Sequence, residues 1–152
     1  MRLLYLITRA EPGGAQVHLL ELLRGFRDRA ELHLGVGEDQ DGFLVEEARA
    51  LGVRVHLLRH LVQPVRPVKD FRGLFEVMAL LRKVRPHLLH AHSSKAGFLG
   101  RLAGRALGVK SVFTAHGWAF TDGVPEGMKR LALSMERLAG RLGDLVLAVS
   151  EY

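Results

Sequence analysis

Three short segments concentrate the side chains that could do chemistry: Glu11-Pro12-Gly13-Gly14, His90-Ala91-His92-Ser93-Ser94-Lys95 and His116-Gly117-Trp118-Ala119-Phe120. The glycine pair opens an amphipathic run. The first N–H groups of a helix lack internal partners and favour a phosphate. Glycines there let a ligand approach the backbone closely, although the same pair also serves a plain strand-to-helix turn. In the second segment, alternation puts His90 and His92 on one face of an extended chain. His92 and Lys95 could bind hydroxyls or phosphate, His90 reads as a packed strand histidine, and Ser93 or Ser94 reads as a helix cap. His116, at a strand end before a glycine, is well placed for a ligand. Trp118 and Phe120 offer a sugar-stacking face, or else pack under their loop.

Other chemistries are excluded by what these segments lack. The glycine pair is not G-x-G-x-x-G, which argues against a nicotinamide dehydrogenase, and no Gly-Lys-Ser/Thr follows it. The sequence has no cysteine, so disulfides, thiolate metal sites and cysteine nucleophiles are out. Two histidines without an adjacent carboxylate make a poor zinc set, and no metal is expected. Asp39-Gln40-Asp41 and the pair Glu38 and Glu46 read as solvated surface acids away from the crevice.

The elements that must position these segments follow from periodicity. Leu3–Ile7 is a continuous apolar run, as in a strand covered on both faces. A helical period runs from Ala15 through Phe26. Leu32, Leu34 and Val36 alternate as a second strand, closed by Gly35 and Gly37. A short helix over Phe43–Leu51 ends at Gly52, and Val53–Leu57 is the third strand. Residues 58–68, with Pro64 and Pro67, read as a loop before a helix over Asp70–Arg85. Leu88–Ala91, a helix over Ala96–Leu107, Ser111–Ala115, a helix from Pro125 to about Leu142 and Leu145–Val149 complete the chain. His18, His33 and His56 fall in these elements and receive no role.

Repeated β-α units predict an α/β fold, a Rossmann-like doubly wound parallel sheet with helices on both faces, in a single domain. With strand order 3-2-1-4-5-6, ligands bind at the carboxyl ends of the first and fourth strands. All three polar segments fall there or next door. The length of 152 residues suits one domain, at roughly 100–200 residues each. No run of about 18 apolar residues and no signal sequence is present, so a cytoplasmic place is expected, with peripheral attachment at the inner face of the membrane as a further option. Lys and Arg total 22 against 16 Asp and Glu, a net charge of +6 that favours anionic partners. The apolar stripe Leu131, Met135, Leu138 and Leu142 is flanked by Lys129, Arg130, Arg137 and Arg141, a pattern that suits either a solvated face or anionic lipid.

The three segments together, with Leu4-Tyr5-Leu6-Ile7-Thr8 ahead of them and Leu147-Ala148-Val149-Ser150-Glu151 behind, resemble the N-terminal half of a glycosyltransferase of family 4. Those are retaining enzymes of two Rossmann-like domains, the GT-B fold. The resemblance implies sugar transfer from a nucleotide-sugar to an acceptor hydroxyl, without a required metal, in cell-surface polysaccharide or glycolipid synthesis. It implies that Gly13 and Gly14 approach the donor diphosphate and that His116 contacts the donor sugar. Gln16, His92, Ser93, Lys95 and Trp118 would line the acceptor side, and the acceptor would be a sugar or lipid-linked. The second, donor-binding domain of such enzymes has no counterpart before Tyr152, so residues 1–152 are expected to be inactive alone.

A non-enzymatic alternative is a stand-alone Rossmann-like binding module or partner subunit. A nucleic-acid binder would share the positive charge, but helix-turn-helix, zinc and RNP motifs are missing, so no nucleic acid is expected. An epimerase of the same two-domain build is the nearest enzymatic rival. It would need additional acid/base carboxylates in this half.

Overall fold

A computed structural model describes residues 1–116 and 123–149. Its elements alternate throughout: β1 (Arg2–Arg9), α1 (Gly14–Phe26), β2 (Glu31–Glu38), α2 (Phe43–Ala50), β3 (Arg54–Leu57), α3 (Pro67–Val84), β4 (Leu88–His92), α4 (Ser94–Leu107), β5 (Lys110–Ala115), α5 (Glu126–Leu142) and β6 (Leu145–Ala148). All strand pairs are parallel and the order is β3-β2-β1-β4-β5-β6. The sheet is the one expected from the sequence.

Alternation along the strands divides the core into two layers. Leu3, Tyr5 and Ile7 of β1 face α1 and α2, where Leu19, Leu20, Leu23, Leu44 and Val45 are buried. Leu4 and Leu6 point the other way, onto Val77, Leu80 and Leu81 of α3 and Leu99 and Ala103 of α4. A central strand buried on both faces needs this unbroken apolar run. On α5, Arg101 of α4 makes a buried contact: its Nη2 lies 3.0 Å from Glu136 Oε2, and its guanidinium stacks 4.3 Å above the Phe113 ring.

Three local expectations are corrected. Gly35 and Gly37 do not close the second strand; they lie inside β2. They are glycines because neighbours crowd them. A Cβ at Gly35 would sit 2.9 Å from a Leu6 methyl, and one at Gly37 only 1.7 Å from the Leu61 carbonyl oxygen. The loop expected over residues 58–68 ends early, because Pro67 stands in the first turn of α3, where its missing N–H costs nothing. Ser93 precedes α4 but makes no side-chain cap bond. Its hydroxyl is taken by Thr8, as described below.

The last two elements are thinly covered. Within α5 only Ala139 is buried, and Leu145–Ala148 of β6 are exposed throughout. The stripe of Leu131, Met135 and Leu138 therefore faces outward. Among the described residues, no helix is long and apolar enough to cross a membrane.

Candidate functional site

The switch in strand order falls between β1 and β4, and their carboxyl ends carry two of the three segments. A side-chain bond ties these ends together: Thr8 Oγ1 lies 2.6 Å from Ser93 Oγ. Ser93 holds a left-handed backbone, φ 76°, unusual for a residue with a Cβ. That turn sends the chain from β4 straight into α4, and the Thr8 bond anchors it.

Two helices begin at this edge without side-chain caps. The first turn of α1 follows Gly13, and the first turn of α4 follows Ser93. Neither first turn contains an acid. Their free N–H groups and partial positive charge are thus available to an anion. Gly14 leaves its surroundings open, since a Cβ there would meet nothing within 4 Å. Gln16 does not face outward alone; its Nε2 donates to the Arg9 carbonyl at 2.9 Å and folds back over Gly13.

The nearby cations are occupied. Arg9 contacts Asp39 at 3.2 Å, Glu11 at 3.3 Å and Glu38 at 3.7 Å. Glu38 and Asp39 are therefore not free surface acids; they hold the end of β1. Lys95 is mostly buried, pairs with Asp70 at 2.6 Å and also donates to the Pro64 carbonyl. Attraction for a phosphate at this edge rests on backbone N–H groups rather than on Arg9 or Lys95.

Beside the helix ends lies a histidine cluster. His92 Nδ1 is 3.0 Å from His116 Nε2, with the rings near parallel at 27°. His18 of α1 meets His116 edge-on, with ring centroids 5.1 Å apart, and lies 6.0 Å from His92. His90 packs 4.3 Å from His92 and its Nε2 is 2.7 Å from Thr114 Oγ1. Tyr5 lies against both, 5.5 Å from His90 and 6.2 Å from His92. Burial pushes the Tyr5 hydroxyl up to about 12.

His90, His92 and His116 are each pushed toward the uncharged form. Burial, then repulsion from His18 and His116, lowers His90 to about 4. Burial, then its three histidine neighbours, drives His92 still further down. His116 is lowered by burial first and by His18 second. Uncharged imidazoles of this kind exchange hydrogen bonds with a ligand and do not attract it by charge. Among the described residues, no three His, Asp or Glu side chains could hold a metal ion together.

The structure thus gathers Gly13, Gly14, His92, Ser93 and His116 at one edge. His92 is fully buried and meets the crevice through His116 rather than directly. Trp118 lies outside the described residues. Sequence reasoning missed His18 and Thr8. A signal for His18 was present, because it stands one helical turn after Gly14 and hence on the same face of α1.

Comparison with known proteins bears on the chain's family and fold. The chain is 31% identical over 137 residues to the UDP-Gal:alpha-D-GlcNAc-diphosphoundecaprenol alpha-1,3-galactosyltransferase of Escherichia coli, covering 84% of this chain and 35% of that protein. It is 25% identical over 149 residues to the Escherichia coli O-antigen biosynthesis glycosyltransferase WbnH, covering 97% and 41%. The chain therefore spans little more than a third of the length of these relatives. Its fold is shared with the Anabaena protein Alr3699/HepE solved in complex with UDP, with a TM-score of 0.74 at 23% identity over 99% of this chain and 38% of that one. The sequence profile of Glycosyltransferase Family 4 matches residues 12–152, nearly the whole chain, and the chain belongs to that family.

Proposed function

We propose that the chain is the acceptor-side half of a retaining, nucleotide-sugar-dependent glycosyltransferase that builds cell-surface polysaccharide or glycolipid. The observation that carries this reading is the His92–His116 pair standing beside the uncapped start of α1. The relatives add to it, one being named for a UDP-galactose donor and a diphosphoundecaprenol-linked acceptor and another for O-antigen biosynthesis.

In this reading the donor diphosphate approaches Gly13 and Gly14, where backbone N–H groups stabilise the charge that develops on departure. His116 hydrogen-bonds the donor sugar near its reacting carbon. The bond from that carbon to the diphosphate oxygen breaks, and a bond to the acceptor oxygen forms on the same face. The acceptor's proton leaves with the nucleoside diphosphate. No metal is called for. Gln16, Ser93, Lys95 and Trp118 belong to the acceptor side, with the acceptor a sugar or a lipid-linked sugar reached from the cytoplasmic face of the membrane. A second domain supplies most of the nucleotide site, so residues 1–152 alone bind weakly and do not transfer.

The test is sugar transfer by a protein carrying both halves. His116→Ala is expected to lower transfer by about 100-fold or more, the scale of losing a positioned hydrogen-bonding group. Unchanged transfer would remove the assignment, and turnover by residues 1–152 alone would refute the division of labour.

A further inference from the structure

Strain in the backbone collects around the carboxyl end of β1. Among the described residues, Asp39, Arg85 and Ser93 alone combine a side chain with a positive φ, of 55°, 50° and 76°. Two of the three stand at the carboxyl edge of the sheet, and the last two residues of β1 hold them. Arg9 Nε donates to Asp39 Oδ2 at 3.2 Å, and Thr8 Oγ1 lies 2.6 Å from Ser93 Oγ. Backbone in such sparsely populated regions persists only where its surroundings over-determine it, and it gathers at working sites.

The place of the Thr8–Ser93 bond follows from register. β1 and β4 pair in parallel from Leu3 with Leu88 to Leu6 with Ala91, where the paired residues end. Carried two residues further, the same register sets Thr8 opposite Ser93, beyond the last rung and at the switch in strand order. The two hydroxyls therefore span the mouth of the crevice. Each also departs from what its position favours. Thr8 is wholly buried after the apolar run Leu3–Ile7, where a valine would fill a similar space. Ser93, at φ 76° and ψ 150°, holds a backbone that suits glycine, and its hydroxyl caps nothing in α4. The two departures meet in one bond. Thr8 is its donor, because accepting would leave a fully buried hydroxyl hydrogen without a partner. Ser93 is half-buried and keeps its own hydrogen for the crevice.

The two sides of this crevice carry different parts of the site. On the β1 side, Gln16 Nε2 donates to the Arg9 carbonyl and seats the start of α1 against the strand end. On the β4 side, His92, next to Ser93, is bonded to His116. His18 meets His116 from α1, with ring centroids 5.1 Å apart. We propose that Thr8 is a positioning residue whose bond to Ser93 is a clasp, fixing the width of the crevice and so the placement of His116 against the start of α1. Its part in sugar transfer rests on the function proposed above, whereas the clasp itself is read without any nucleotide-sugar.

The experiment compares Thr8→Val, Thr8→Ser and Ser93→Gly in the 152-residue protein. The readouts are the nuclear Overhauser effect between the His18 and His116 rings and the ring ¹⁵N shifts of His116, with urea midpoints as the measure of folding. Thr8→Val is expected to weaken that Overhauser effect and move the His116 shifts. Thr8→Ser keeps the hydroxyl and should restore both. Ser93→Gly removes the other hydroxyl while relieving the backbone, so its urea midpoint should hold or rise even as the ring readouts change as in Thr8→Val. It carries the same test if Thr8→Val folds poorly. A bond that served stability alone would do the reverse, lowering the midpoint and leaving the rings in place, and that result would overturn the proposal. So would a failure of Thr8→Ser to restore the rings. With UDP-galactose as the probe, Thr8→Val should weaken binding about fivefold, the scale of one hydrogen bond. Altered rings with unaltered UDP-galactose binding would uphold the clasp and count against the donor site at the start of α1.

Discussion

His92 Nδ1 stands 3.0 Å from His116 Nε2, and the second nitrogen of His92 has no partner among the described residues. These two facts choose between tautomers. If His116 donated, His92 would carry its proton on a buried, orphaned Nε2. If His92 donates, only a buried acceptor is left bare, which is the lesser cost. His92 is therefore the donor, and His116 keeps its proton on Nδ1. His116 is positioned by His92 as a hydrogen-bond donor toward its ligand. His92→Phe should preserve ring packing and release this choice. The ¹⁵N shifts of the His116 ring would then report mixed tautomers, whereas an unchanged spectrum would contradict the assignment.

His18 acts on the cluster through charge. It contributes to the lowering of His90, His92 and His116, after burial in each case. Removing a like charge favours protonation, so His18→Ala should raise the His116 titration midpoint toward the ordinary 6.5. Histidine ¹³C shifts followed against pH measure this directly. A midpoint that stays or falls would contradict it.

The same burial makes stability depend on acid. In the unfolded chain these histidines titrate at about 6.5. In the folded chain His90 titrates near 4, and His92 lower still. Between those values the unfolded state binds more protons, so stability falls as pH drops below about 6.5. By pH 4 the loss from His90 is of order 2 kcal/mol, allowing for its partial exposure. Urea midpoints measured from pH 7.5 down to 4.5 should decline, and His90→Gln should flatten that slope. A flat profile in the unaltered protein would count against the buried cluster.

Much of this was legible from the chain. Leu3–Ile7 and the alternating Leu32, Leu34 and Val36 announced parallel strands because buried strands have little choice of residue, and the order followed from the connections. The glycine pair and His116 were visible as polar breaks at strand ends. What escaped was set by distant packing. The Leu61 carbonyl over Gly37 turns an apparent strand stop into strand interior. Thr8 claims the Ser93 hydroxyl that local rules give to the helix. The joining of His18 to His116 depends on where α1 crosses the sheet.

Buried charge links α4 to α5. Arg101 is 1% exposed, with Glu136 at 3.0 Å as its acidic partner. Glu136→Gln leaves a guanidinium uncompensated beneath the surface and should cost about 3 kcal/mol in chemical denaturation. Arg101→Met should cost less, because Glu136 retains some solvent contact. A loss below about 0.5 kcal/mol for Glu136→Gln would show the pair to be dispensable.

Two glycines separate folding from binding. Gly37→Ala drives a Cβ into the Leu61 carbonyl and should cost more than about 3 kcal/mol, seen as a lowered melting temperature. Gly14→Ala meets nothing within 4 Å and should leave stability equal or slightly higher. The same methyl would stand between the α1 backbone and an approaching diphosphate. A stable Gly14→Ala protein with unimpaired nucleotide-sugar binding would remove Gly14 from the site.

The central claim is that the start of α1 and His116 meet one nucleotide-sugar. Amide and histidine-ring shifts of the 152-residue protein, followed as UDP-sugar is added, test it most directly. The account predicts weak, saturable shifts of Gly13, Gly14 and His116 that share one binding curve and are lost together in Gly14→Ala. Shifts confined to other residues, or none at the highest ligand concentration, would contradict it.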